Sequence, residues 1–199
     1  MTDLVLFENE NFIIDMMYAR ADNMMSCAVY QNVGYGNCAY MHKDVAQALL
    51  NLIPELQKKS YKMRICDAYR PPIAHQKCVE AVPIEGFFKA DYRLSNHCYG
   101  TAVDVCLTDL QGNNLIYPTE VDAYRIDFAE QVKNGKFEEF KKYLVQARHD
   151  YNEASAEAIK NREFLKELME NNGFESIPHE WWHYNLKGWK NYSLIEWDR

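Results

Sequence analysis

The chain has 199 residues, 48% of them apolar, and a formal net charge of −7. That length supports one compact domain with a substantial core and is short for two, so a single domain over residues 1–199 is expected. The acidic balance excludes a general affinity for nucleic acid or anionic lipid, which are polyanions drawn to basic patches, and points to a substrate that is small or partly cationic.

In chain order, the opening "MTDLVLFENENF" carries Asp3, Glu8 and Glu10 where a signal peptide needs basic and then apolar residues. No apolar run approaches the roughly 20 residues that span a bilayer, so a cytoplasmic protein without a membrane partner is expected. Val45, Leu49, Leu52, Ile53 and Leu56 recur at helical spacing and predict a helix over about 43–59, with Pro54 a kink or restart. "YKMRICDAY" (61–69) alternates as a strand and ends in the turn-forming Arg70, Pro71 and Pro72. "TAVDVCL" (101–107) alternates too, with Val103, Val105 and Leu107 on one face and Ala102, Asp104 and Cys106 on the other. A second helix is predicted over about 153–171, with Ala158, Leu165, Leu168 and Met169 as its stripe and Gly173 as its stop. Helices segregated from short strands predict an α+β domain: a small, mainly antiparallel sheet flanked by helices. The six cysteines contain no C-x-x-C pair and are expected to be free, mostly buried thiols, with Cys98 and Cys106 as packing residues. His42, His75 and His149 are read as surface or core residues.

"PHEWWHYN" (178–185) contains H-E-x-x-H, the mark of a helical zinc protease in which His179 and His183 would share one zinc with Glu180 as base. The surroundings oppose it. A metzincin continuation needs Gly at 186 and His at 189, where the chain has Leu186 and Trp189, and the one downstream glutamate is Glu196. A different set lies upstream in "SNHCYGTAVDV" (95–105), where a turn at Gly100 separates His97 from Asp104 and lets the two converge. With His183 they make two histidines and a carboxylate, which leaves a zinc ion its fourth position for water. Taken singly, Asp104 reads as a strand-end acid, His97 as a surface turn residue, Arg70 beside Asp67 as a surface ion pair, and Trp181 and Trp182 as core. Their joint occurrence lifts them above those readings.

"DAYRPP" (67–72), "SNHCYGTAVD" (95–104) and "EWWHY" (180–184) together resemble the three motifs of the D-alanyl-D-alanine dipeptidases of the vancomycin-resistance type. Those enzymes share a fold family with D,D-carboxypeptidases, some phage endolysins and the hedgehog signalling domain. "YARADN" (18–23), "YPTEVD" (117–122) and "LMENNGFES" (168–176) extend the resemblance to roughly residues 15–190. It implies one Zn2+ per chain held at the sheet by His97, Asp104 and His183, Glu180 as general base and acid, and Arg70 over the scissile carbonyl. It implies further that Tyr18 and Asp122 hold the free amino group of a small dipeptide, most directly D-Ala-D-Ala, with Ser95 also touching it. His179 then has no catalytic role.

Since Glu180 and His183 lie three apart, a straight strand would point them to opposite faces, so a bend or bulge is expected between them. The chain departs from the family at Val121, usually phenylalanine, and at Asn96, where a small residue is common, and both departures are expected to touch the substrate pocket. Two other activities share these parts: a D,D- or L,D-carboxypeptidase acting on peptidoglycan peptides, and a non-catalytic zinc-binding domain. No pattern in the chain specifies an oligomeric state.

Overall fold

A computed structural model describes residues 3–82, 88–123, 130, 133–135 and 137–196. Its strands are β1 (Leu4–Leu6), β2 (Phe12–Ile14), β3 (Tyr40–His42), β4 (Lys62–Asp67), β5 (Ala102–Thr108), β6 (Phe174–Ile177) and β7 (Glu180–Leu186). Between them lie the helices α1 (Val29–Asn32), α2 (Lys43–Leu50), α3 (Ile53–Lys59), α4 (Pro72–Ala81), α5 (Glu138–Gln146) and α6 (Ala156–Asn171). Five strands form one sheet in the order β2-β4-β5-β7-β6, parallel only between β2 and β4, and β1 pairs with β3 in a separate ribbon. The expected α+β class with a mainly antiparallel sheet is observed.

The local chemistry explains the element boundaries. The helix expected over 43–59 is two helices, because Pro54 lacks the N–H that a continuing turn needs and sits instead in the first turn of α3. His42 caps α2, its Nδ1 accepting from the Asp44 amide at 3.2 Å. Ser155 Oγ caps α6 by accepting from the Ala158 amide at 3.1 Å, and Gly173 at φ +93° turns the chain out of it. Among the described residues no helix is long and apolar enough to cross a membrane.

Strand β5 is the centre of the molecule. It lies between β4 and β7, and every residue from Ala102 to Thr108 is buried, so both faces of its alternating pattern meet packed layers. One of those buried side chains is a carboxylate, Asp104, 2% exposed. An acid that deep requires partners, and the sheet supplies them.

Candidate active site

The two strands beside β5 bring the partners. His183 on β7 is directly opposite Asp104, and its Nδ1 lies 2.9 Å from Asp104 Oδ1. His97 arrives from the 3-10 turn Asn96–Tyr99, which Gly100 closes at φ +66° where an added Cβ would meet the His42 amide nitrogen at 3.0 Å. Its Nε2 is 3.2 Å from His183 Nδ1 and 3.4 Å from Asp104 Oδ2. Ligand bonds of about 2.0–2.1 Å at tetrahedral angles place neighbouring donors roughly 3.3 Å apart, so this triangle fits a zinc-sized ion. Each histidine is also held from behind. His97 Nδ1–H donates to the Ala68 carbonyl at 2.7 Å, and His183 Nε2–H donates to Asn185 Oδ1 at 2.9 Å. Among the described residues no fourth side chain joins the three donors.

The letters H-E-x-x-H do not form a helix. Pro178 and His179 make the turn of the β6–β7 hairpin, and Glu180 opens β7. Ser176 pairs with Tyr184 but Ile177 pairs with Glu180, so Trp181, Trp182 and His183 are three residues of β7 without a partner on β6. This is the bend that the three-residue spacing demanded, and it brings Glu180 Oε2 to 3.8 Å from His183 Nδ1. The bulge is braced: the Trp181 amide donates to the Ala147 carbonyl at 2.9 Å, its ring stacks on Tyr117 at 4.0 Å, and its Nε1 donates to Thr119 Oγ1. His179 is exposed at the turn and joins no metal-holding group among the described residues.

Arg70 is a buried residue, 4% exposed, which corrects the reading of Arg70 and Asp67 as a surface ion pair. Its Nε and Nη2 both donate to Asp67 Oδ2, at 3.0 and 2.6 Å, and Asp67 Oδ1 accepts from Tyr30 Oη at 2.5 Å. The guanidinium lies against the Tyr18 ring at 4.9 Å and the Phe88 ring at 5.4 Å, so its fork is fixed on every side. Tyr18 in turn donates to Asp122 Oδ2 at 2.5 Å. Asp122 sits at φ +49°, ψ +36°, a left-handed conformation uncommon outside glycine.

All eight residues singled out in the sequence line one cavity of about 700 Å³: Tyr18, Arg70, Ser95, His97, Asp104, Asp122, Glu180 and His183. Asn96 lines it as expected. Val121 does not; it faces a second cavity with Asp15, Arg64 and Cys66. The sequence reading paired Asp67 with Arg70 but missed its burial, and it missed Tyr30 and Asn185 as site residues. Asn185 had a signal, since two residues beyond His183 on a strand is the same face; Tyr30 had none. Cys98 and Cys106 are buried packing residues, as expected. His42 and His75 are both buried, His75 Nε2 donating to the Lys89 carbonyl at 2.7 Å, and His149 is half-buried against Tyr184.

Four acids, Asp67, Asp104, Asp122 and Glu180, lie about one buried cation, Arg70, while the exposed Lys89 and half-buried Arg148 also line the cavity, and the electrostatics follow. Burial pushes the Glu180 carboxyl up to about 8 and that of Asp122 up to about 7, with the charge of Asp104 adding to both. Burial opposes ionisation of Asp104 too, but His97 and His183 override it and hold that carboxyl well below its ordinary value. His97 is raised despite burial because Asp104 and Asp67 stabilise its cation. The buried carboxyls Asp122 and Glu180 are therefore short of nearby positive charge, and a cation arriving beside them relieves it.

Comparison with known proteins agrees with the geometry. The family model described as D-ala-D-ala dipeptidase, of the M15 peptidases, matches residues 8–193. The D-alanyl-D-alanine dipeptidase of Escherichia coli (strain K12) is 31% identical over 183 residues, covering 92% of this chain and 82% of the relative. That of Enterococcus faecium is 27% identical over 162 residues, covering 72% and 71%. With the motifs, the three-donor set and the matched length all in agreement, the chain belongs to the D-Ala-D-Ala dipeptidase family of M15 metallopeptidases.

Proposed function

We propose that this protein is a zinc-dependent dipeptidase that hydrolyses the peptide bond of a free dipeptide, D-Ala-D-Ala foremost. The observation that carries the reading is one cavity holding both an open set of three metal donors and a second, separate buried carboxylate, Asp122. His97, Asp104 and His183 would hold the zinc ion, which would supply Lewis acidity and make water a nucleophile near neutral pH.

The rest is done by the chain's own groups. Glu180, whose Oε2 lies 3.8 Å from the donor nitrogen of His183, removes a proton from the attacking water and later delivers it to the leaving amine, and a metal ion held at the neighbouring donors would favour the carboxylate form that a base requires. Arg70, held by Asp67 between two aromatic rings, donates to the oxygen of the scissile carbonyl as negative charge develops there. Asp122 and Tyr18 accept the substrate's ammonium, which supplies the charge their pocket lacks, and Ser95 lies on the same wall. A buried acid that demands a cationic amine discriminates against a chain whose amine is already acylated, the feature that separates a dipeptidase from a carboxypeptidase.

The test is a panel of D-Ala-D-Ala, L-Ala-D-Ala, L-Ala-L-Ala and N-acetyl-D-Ala-D-Ala, with metal analysis of the same preparation. Stranding Asp122 without its cation costs about 2–5 kcal/mol, so acetylation is expected to lower kcat/KM by roughly 30- to several-thousand-fold. Equal rates on free and acetylated D-Ala-D-Ala would move the assignment to a carboxypeptidase; no turnover of any member by zinc-loaded protein would reduce it to a binding domain.

A further inference from the structure

The two histidines of the metal set offer opposite ring nitrogens, and they are held by different kinds of group. His97 presents Nε2 because its Nδ1–H is engaged by a main-chain carbonyl, that of Ala68. His183 presents Nδ1, which requires that Nε2 carry the proton and find an acceptor. That acceptor is a side chain, Asn185, buried to 4% exposure. An asparagine is ambiguous on its own, since rotating the amide would turn an NH2 toward the imidazole and leave two donors face to face. Asn96 narrows the choice, because the two amides can turn over only together. Its Nδ2 donates to the same Asn185 Oδ1 at 2.6 Å, so this oxygen receives two N–H groups and the flipped amide would oppose two donors at once.

We propose that Asn185, locked by Asn96, is the positioning residue that holds His183 with Nδ1 toward the metal and so sets metal affinity. The inference rests on the metal-site reading above. It also gives Asn96 a purpose at a position where a small residue is usual in the family. Asn96 acts through Asn185: among the described residues its side chain bonds to Asn185 and not to a metal donor or Glu180. Without Asn185, His183 Nε2–H has no acceptor, and Asp104 Oδ1 at 2.9 Å competes to draw the proton to Nδ1, the nitrogen that must stay free.

The experiment is competition for zinc against a chromophoric chelator, using the whole protein, with the thermal melting of the metal-free form recorded in parallel. Asn185→Leu is expected to weaken zinc binding by roughly 10–100-fold, the range for removing an outer hydrogen bond to a ligand histidine. Asn185→Asp, whose carboxylate accepts from Nε2–H without needing to be locked, is expected to bind at least as tightly as the wild type. Asn96→Ala should weaken binding several-fold in the wild-type background and have no effect in the Asn185→Asp background, a dependence that simple damage to packing does not produce. Wild-type affinity in Asn185→Leu, or weaker binding in Asn185→Asp, overturns the proposal; should Asn185→Leu not fold, Asn185→Asp and the two Asn96→Ala backgrounds decide. His183→Ala separates the two levels: undiminished binding there overturns the metal site itself, whereas lost binding with an indifferent Asn185 overturns only this inference.

Discussion

Replacing Asp122 by asparagine should stabilise the metal-free protein at neutral and alkaline pH while removing its hold on the substrate amine. The carboxyl is raised from 3.8 to about 7, burial being the first cause, so folding favours its neutral form. A carboxyl raised on folding contributes no penalty below about pH 4, where both states are protonated, and an increasing one as the pH climbs to about 7. Each unit is worth about 1.4 kcal/mol, so between about pH 5 and pH 8 the advantage of Asp122→Asn should grow by up to about 3 kcal/mol. Water entering the cavity lowers that ceiling. At about 2–4 °C per kcal/mol for a chain of this size, the melting temperatures should separate by several degrees more at the higher pH. The backbone does not oppose the change, because asparagine tolerates φ +49° at least as well as aspartate, and Tyr18 Oη still has an amide oxygen to donate to. Calorimetry of chelator-treated wild type and variant at the two pH values is the assay. A melting difference that stays the same at both would show that the buried carboxylate is not where the energy is stored.

Glu180→Gln should retain zinc in metal analysis and lose most turnover, since the base is not a ligand. Arg70→Ala should likewise keep its metal and lower kcat/KM by roughly 10²–10³-fold, the scale for one oxyanion donor. Asp67→Ala should be worse for stability than Arg70→Ala, because it leaves a buried guanidinium unpaired at about 3–5 kcal/mol, measurable by denaturant titration. In zinc-binding assays His97→Ala, Asp104→Ala and His183→Ala should each empty the site and His179→Ala should not; the reverse order for His97 and His179 would restore the helical protease reading.

The parts of the site that were legible in the sequence share a cause. His97, Asp104, Glu180 and His183 are residue types whose chemistry is specific and whose spacing a turn or a strand constrains. The need for a bulge between Glu180 and His183 followed from strand geometry alone. What stayed hidden was long-range and cooperative. Tyr30 meets Asp67 across 37 residues of chain, a contact no local pattern encodes, and with it went the burial that turns Arg70 and Asp67 from a surface pair into a fixed fork. Val121 was misplaced for a similar reason: its neighbour Asp122 lines the site, but Val121 itself lines a different cavity, a division no local pattern shows. The breaks at Pro54 and Gly173 were readable because breakers and stops act within a few residues, whereas the start of α6 was placed at about 153 and the Ser155 cap went unread.

The strand order carries a consequence for how the protein is made. Among the described residues β7 comes last of the strands yet occupies an interior place, between β5 and β6, so it enters the sheet as the far arm of a hairpin. During synthesis the chain can build β2, β4 and β5 first, with Asp104 already on a strand whose outer edge is bare. That edge exposes unpaired backbone groups and a half-assembled acid cluster until residues 174–186 have emerged and docked, and a nascent chain stalled in that interval would be open to strand pairing with its neighbours. Docking supplies His183 and Glu180 in the same step that covers the edge. Under the proposed function, the metal set and its base are therefore completed only as the sheet is sealed.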